Sequence, residues 1–424
     1  MRALSTASRL PGAILFWALP FLGQNSQVLT LDDCVRLAEN APSAMTQAQE
    51  QALIAHYGVA QARTNYLPGL SVGNAFTYNH PAPNGSLFVS LNGLREYQSV
   101  LQSSLEIDTS GRLRAELARA RADAVAATAN LTISRRSLRR LVTASFYRLL
   151  LARKLITVDG EALAEAERFE ERTKKLFANG EAAQADVIKA GADAALLRQT
   201  LQVARAEAEL ANHELASYWT SDVTTELNLD DVLEREPPAP TPNETDRPFM
   251  RRPEFALYDA QRAGFLADSR RARADLLPQA GGEFQWGIDS NRYSFADRGY
   301  AAIVHLNVPV FDWFKARNAV RQFRIEADQV SAQREIGERA FSREYQDAVT
   351  SVRSDYEQMA TLEQEVRLSA ENLRLAQIRY QGGEGLALDV VSAQNQLAQA
   401  RSTFYAARAA YWNARADLEV ASGR

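Results

Sequence analysis

The chain has very little of what most chemistries need. Among its 424 residues there is one cysteine, Cys34, so no disulfide can form within it. The residues before it, Leu31-Asp32-Asp33, lack the small side chains of a lipid-attachment site, and Cys34 reads as a buried apolar group of the first helix. There are four histidines, His56, His80, His213 and His305, dispersed along the chain, and none has a metal-ligand partner at i+3 or i+4. No Gly-rich phosphate loop and no nucleophile elbow is present, which argues against an enzyme and leaves no cofactor implied. The formal net charge of −4 leaves no basic excess for nucleic acid. No apolar run reaches the ~20 residues of a spanning helix. The nearest approach is Leu10 to Gly23, behind Arg2 and Arg9, which reads as the core of an export signal over residues 1–27; an uncleaved signal-anchor is the alternative.

Proline is missing over two long stretches, and that absence is informative. From Gly111 to about Asn179, and again from Lys315 to about Gln381, the chain is rich in alanine, arginine, leucine and glutamate. At ~1.5 Å per residue each stretch would reach about 100 Å as one helix. Gly160 is the one place where a kink or break is expected in the first.

What is there is a duplication. Phe177-Ala178-Asn179-Gly180, with Asp186-Val187 and Ala190, returns as Tyr380-Gln381-Gly382-Gly383, with Asp389-Val390 and Ala393. The offset is constant (380 − 177 = 203; 389 − 186 = 203). Beyond each glycine runs a seam with alternating steps of 3 and 4: Val390, Ala393, Leu397, Ala400, Phe404, Ala407, Tyr411, Ala414 and Leu418. Its counterpart runs from Val187 to Leu215. Such spacing is a coiled-coil seam, more sustained than the stripe of an ordinary surface helix. Each copy therefore ends in an antiparallel helical hairpin turning at Gly180 or Gly383.

Ahead of each hairpin lies a pair of alternating segments. Leu70, Val72, Phe76 and Tyr78 alternate with polar or small residues, and Tyr97, Leu101, Leu105 and Ile107 return against Gln98, Gln102, Ser104 and Glu106. In the second copy Gly282, Phe284, Trp286 and Ile288 are answered by Tyr300, Ala302, Val304, Leu306 and Val308. About ten residues with one apolar face suit a tilted membrane strand, with aromatics near the ends as at a bilayer interface; a soluble hairpin packed on helices is the alternative. His305 falls on the polar face. The organisation expected is an export signal (1–27), a first repeat (28–233), an extended, solvated proline-rich linker (234–251) and a second repeat (252–424). Val223 to Leu229 reads as a stray strand or turn.

Three motifs carry a resemblance. Arg379-Tyr380-Gln381-Gly382-Gly383 with Asp389-Val390-Val391-Ser392-Ala393-Gln394, Arg252-Pro253-Glu254, and Pro309-Val310-Phe311-Asp312 resemble, in that family's order, the TolC family of outer-membrane efflux proteins. The resemblance implies a mainly α fold with a small membrane β part: a long α-helical coiled-coil barrel and a twelve-stranded β-barrel, completed as a homotrimer with four strands per chain. It implies a passive exit duct in the outer membrane, among its lipid, reaching through the periplasm to an adaptor (membrane fusion protein) and an inner-membrane pump of an efflux or type I secretion system. It places Asp389 at a tip constriction, where three carboxylates would favour cations. It makes Tyr380 and Asp186, beside Arg379 and the turn glycines Gly180 and Gly383, a latch between hairpins; helix capping by Asp186 is the plainer alternative. Ser392, Gly385 and Leu176 depart from the family's charged tip positions. A periplasmic adaptor is disfavoured by two hairpins and few strands, and a purely structural coiled coil by four amphipathic strands.

Overall fold

The computed structural model describes residues 28–85, 93–240 and 247–423, so the expected export signal lies outside the described residues. The described residues begin with two helices, α1 (Leu31–Asn40) and α2 (Ala44–Thr64). The first begins at Thr30, whose hydroxyl accepts from Asp33 N–H at 3.2 Å while the Asp33 carboxylate accepts from Thr30 N–H at 3.1 Å, a reciprocal cap that satisfies two otherwise orphaned donors. Then come β1 (Gly69–Tyr78), β2 (Arg95–Ile107), α3 (Arg112–Ala178) and α4 (Gln184–Ser217). The second copy repeats the plan as α5 (Pro253–Ala274), β3 (Gln279–Ser290), β4 (Arg298–Asn307), α6 (Lys315–Gln381) and α7 (Ala387–Ala421).

The duplication is carried into the element ends. Both ends of α3 and α6 differ by 203 (315 − 112; 381 − 178), as do the starts of α4 and α7 (387 − 184). Helix α3 runs through Gly160 without a break, contrary to the expected interruption. One glycine costs about 1 kcal/mol relative to alanine, whereas a break would orphan up to four backbone groups on each side, and the adjoining Val158 and Asp159 are buried.

The seam of α4 is buried as the spacing requires, with Ala190, Ala194, Leu197, Leu201, Ala204, Ala208, Ala211 and Leu215 all inside. In α7, Val390, Ala393, Ala400, Tyr411 and Ala414 are buried, while Leu397, Phe404, Ala407 and Leu418 are half-buried. The main core lies at mid-height, where Cys34, Val35 and Ala38 meet Val142, Phe146, Leu149 and Leu150 of α3 and Leu215 of α4. Cys34 is fully enclosed and burial pushes its thiol up to about 12, so it packs as a small hydrophobe.

The segment after α4 joins this core. Leu29 and Leu229 form a parallel bridge, the one strand-like trace of the 223–229 segment, and Leu233 is fully buried. The described part of the linker is mostly exposed, as expected, but it is pinned to the helices at several points. Tyr411 donates its hydroxyl to the Pro238 carbonyl, Lys154 pairs with Asp231 and Glu234 at 2.5 Å each, and Pro248 and Phe249 are buried in a short 3-10 turn. Proline fixes φ and lowers the cost of ordering such a segment, so it straps α3 to α7.

The four strands form one antiparallel sheet in the order β1-β2-β3-β4. The register puts Val72, Leu101, Trp286 and Tyr300 across from one another on one face, and Ser71, Gln102, Gln285 and Ala301 on the other. On the first face Leu70, Val72, Phe76, Phe284, Trp286, Tyr300, Val304 and Leu306 are exposed, while Ile288 is buried. The polar face is tied together by Gln102 donating to Glu283 at 2.7 Å and Gln285 donating to Glu283, while on the first face Ser99 donates to its register partner Asn74 at 2.7 Å. The His305 ring lies over Gly281, where a Cβ would collide with it.

Candidate functional site at the helical tips

Each long hairpin turns through the same motif. Gly180 and Gly383 adopt φ +79° and +77°, a left-handed conformation that glycine reaches without Cβ strain. The turn donates twice into the preceding helix. Gly180 N–H reaches Phe177 O at 2.9 Å and Glu181 N–H reaches Leu176 O at 2.8 Å; Gly383 N–H reaches Tyr380 O at 3.1 Å and Glu384 N–H reaches Arg379 O at 3.0 Å. This is the Schellman closure of a helix end, and it is the same in both copies.

Just above the turns the four long helices share one apolar cluster. Phe169 of α3, Ala190 of α4, and Ala387, Val390 and Val391 of α7 are buried there, with Leu373, Ala376 and Tyr380 of α6 packed against them. The Tyr380 ring meets Phe169 edge-on with centroids 5.1 Å apart, so it bridges the two hairpins. Its hydroxyl is buried without a hydrogen-bond partner among the described residues.

The other expected residues are placed as follows. Asp186 stands in the first turn of α4, half-buried, and is not the cap: Ala183 occupies that position. Asp389 stands in the first turn of α7, exposed, and accepts from Leu386 N–H at 3.3 Å; a carboxylate is favourable at a helix N-terminus. Arg379 is exposed and makes no ion pair among the described residues. The tip therefore brings Tyr380 and Phe169 together, with Asp389 held by the Leu386 amide and Arg379 exposed.

Higher up, polar contacts bind hairpin to hairpin, and these were not read from the sequence. Asn395 of α7 donates to Asp193 of α4 at 2.8 Å, Gln377 of α6 donates to Glu165 of α3 at 2.7 Å, and Arg401 of α7 pairs with Glu161 of α3 at 2.7 Å. Periodicity identifies the seam of one hairpin; it carries no signal for which polar residues flank the contact between two.

The outer membrane efflux protein family matches this chain over residues 35–220 and 249–424. The chain belongs to that family. Solved structures agree on the fold. The CmeC outer membrane channel of Campylobacter jejuni superposes with a TM-score of 0.81 at 16% identity, over 100% of this chain and 95% of that one. The open-state MtrE outer membrane channel of Neisseria gonorrhoeae gives 0.80 at 19% identity, over 93% and 88%. The outer membrane protein VceC of Vibrio cholerae gives 0.79 at 18% identity, over 93% and 96%. No curated protein matches the chain in sequence.

This efflux protein is an exit duct of the outer membrane that extends into the periplasm, and a conduit rather than an enzyme. Its mainly α fold with a small four-stranded membrane sheet is that of the family, whose members are trimeric channels that join a helical barrel to a β-barrel and work with adaptors and inner-membrane pumps. Its strands, helices and tip turns are the parts of such a duct.

Proposed function

We propose that three copies of this chain close a twelve-stranded barrel, four strands each, and that its helical tips engage a periplasmic adaptor and an inner-membrane pump. One observation carries the reading: the sheet ends in two open edges, β1 and β4, and one of its faces carries a row of exposed apolar side chains. Lipid cannot satisfy the N–H and C=O groups of an open edge, and pairing β4 of one copy with β1 of the next removes every edge at once. The chain divides into an export signal (1–27), a first repeat (28–233), a linker (234–251) and a second repeat (252–424). The lumen is lined by the polar strand face, including Gln102, Glu283 and His305, and narrows at the tips.

At the tips Asp389 supplies one carboxylate per copy, and three around an axis attract cations. Tyr380 is the other half of the gate. Its hydroxyl is enclosed at a contact between hairpins, and a neighbouring carboxylate such as Asp186 reaching it would make a charge-assisted bond that a small displacement breaks. Opening that separates the hairpins also has to part Gln377 from Glu165 and Arg401 from Glu161. The direct test is the mass of the detergent-solubilised protein by light scattering. A trimer that survives unheated electrophoresis and dissociates on boiling is expected; a monomeric particle would overturn the closure.

A further inference from the structure

The two junctions where a strand hands over to a long helix differ in a way that duplication alone does not explain. At the first, Asp108-Thr109-Ser110-Gly111 is short and carries no aromatic residue. Its basic residues are neutralised: Arg112 pairs with Glu106 and with Glu116, the latter at 3.0 Å, and Arg114 pairs with Asp108 at 2.9 Å. Gly111 takes the left-handed position before α3, at φ +82°.

At the second, the equivalent position before α6 is Phe314, at φ +64°, and Trp313 beside it is also left-handed, at φ +56°. A bulky residue with positive φ is an outlier, and such strain persists where function demands it. The Asp312 carboxylate holds the turn by accepting from Phe314 N–H at 3.0 Å and Ala316 N–H at 2.7 Å. The strain displays a cluster: the Phe311 ring centroid lies 5.0 Å from Trp313 and 5.7 Å from Phe314. Trp313 is 83% exposed and Val310 94%. Below the rings, Lys315, Arg317 and Arg321 are exposed and form no ion pair among the described residues.

We propose that this junction, Val308 to Arg321, is a lipid anchor that seats the duct on anionic phospholipid of the periplasmic leaflet. Two observations choose that occupant. The outward row of β4, Tyr300, Val304 and Leu306, continues through the exposed Val308 and Val310 into the ring cluster, so the patch is the lower border of the membrane-facing band. Aromatic rings favour this interfacial depth, and unpaired cations just beneath them complement lipid phosphates. The second copy thus grips the membrane while the first, with its charges internally satisfied, does not.

The inference rests on the barrel reading, and Trp286, on the outward face of β3, separates the two. The full chain is reconstituted in phosphatidylcholine vesicles, with or without phosphatidylglycerol, containing lipids brominated at shallow or deep acyl positions. Subtracting the emission of Trp286→Phe and of Trp313→Phe isolates each indole. Trp286 is expected to be quenched best by deep bromines and Trp313 by shallow ones. Competition at Trp313 should favour phosphatidylglycerol by about threefold or more, and the triple variant Lys315→Gln, Arg317→Gln, Arg321→Gln should abolish that preference. The double variant Trp313→Gly, Phe314→Gly, which relieves the left-handed strain, should keep or raise thermal stability in detergent and lower it in anionic vesicles. Quenching of Trp286 without quenching of Trp313 overturns the anchor alone, whether Trp313 proves open to aqueous acrylamide or shielded between subunits. Absence of quenching at both overturns the barrel reading with it.

Discussion

At Arg252 one buried guanidinium holds two carboxylates and a phenyl ring. It donates to Glu254 at 2.9 Å and to Glu344 of α6 at 2.5 Å, and lies 3.9 Å from the Phe341 ring centroid. Glu254 also accepts from Arg136 of α3 at 2.5 Å, so the start of the second repeat is locked to the long helices of both copies. Removing one partner leaves uncompensated buried charge, and Arg252→Ala is expected to destabilise the fold by about 3–5 kcal/mol, measured by chemical denaturation in detergent. Burial alone would raise the Glu254 carboxyl, but hydrogen bonds from Arg252, its own amide and Arg136 outweigh it and hold the group below its ordinary 4.5. A depressed carboxyl contributes stability that is complete above the ordinary value and lost as pH falls through the folded one. Wild type should therefore lose stability below about pH 4.5, and Glu254→Gln, already weakened, should show a flatter acid limb. At the tip, Tyr380→Phe removes one buried hydroxyl and keeps the ring on Phe169; a higher basal conductance is expected, and an unchanged one would remove Tyr380 from the gate. Asp389→Ala should move the cation-to-anion permeability ratio toward unity.

The elements were the most legible level. The constant offset of 203, the proline-free stretches and the 3-4 seams foretold two long helical stretches and both hairpins, because seam periodicity and glycine punctuation are local signals. The strands were legible from alternation, and the sheet adds their register. What was not legible depends on non-local contact: the continuity of α3 through Gly160, the docking of the proline-rich strap through Tyr411 and Lys154, and the ties Asp193–Asn395 and Glu165–Gln377. Arg252-Pro253-Glu254 was visible as a motif, but its buried charge cluster depends on Arg136 and Glu344, about a hundred residues away on either side. Two glycines can be tested at this scale. Gly383→Ala, forced into a left-handed conformation, should cost about 1–2 kcal/mol and increase protease cleavage at the tip, with Gly383→Asn milder. Gly287→Ala should disturb the pairing of β2 with β3, because a Cβ there collides with the Ser99 carbonyl oxygen and comes within 2.8 Å of Val100 Cα. Gly299→Ala, with open space around it, is the control and should leave trimer yield unchanged.

For the whole molecule, duplication is what turns a chain into part of a tube. In the proposed trimer, two similar hairpins per copy give near-sixfold geometry at the tips, and two strand pairs per copy give twelve strands at the membrane. The copies divide the labour. The second holds Tyr380, Arg379, Asp389 and the strained aromatic junction, while the first supplies Asp186, Phe169 and the carboxylates Glu161 and Glu165 against which α6 and α7 lean. In the proposed trimer, a gate built this way would open by movement of one hairpin against the other rather than by uniform dilation. The most direct measurement is single-channel recording of the purified full-length protein in planar bilayers. Discrete, low-conductance, cation-selective steps are expected; a protein that yields no steps, or anion-selective ones, would contradict a closed duct with a carboxylate constriction.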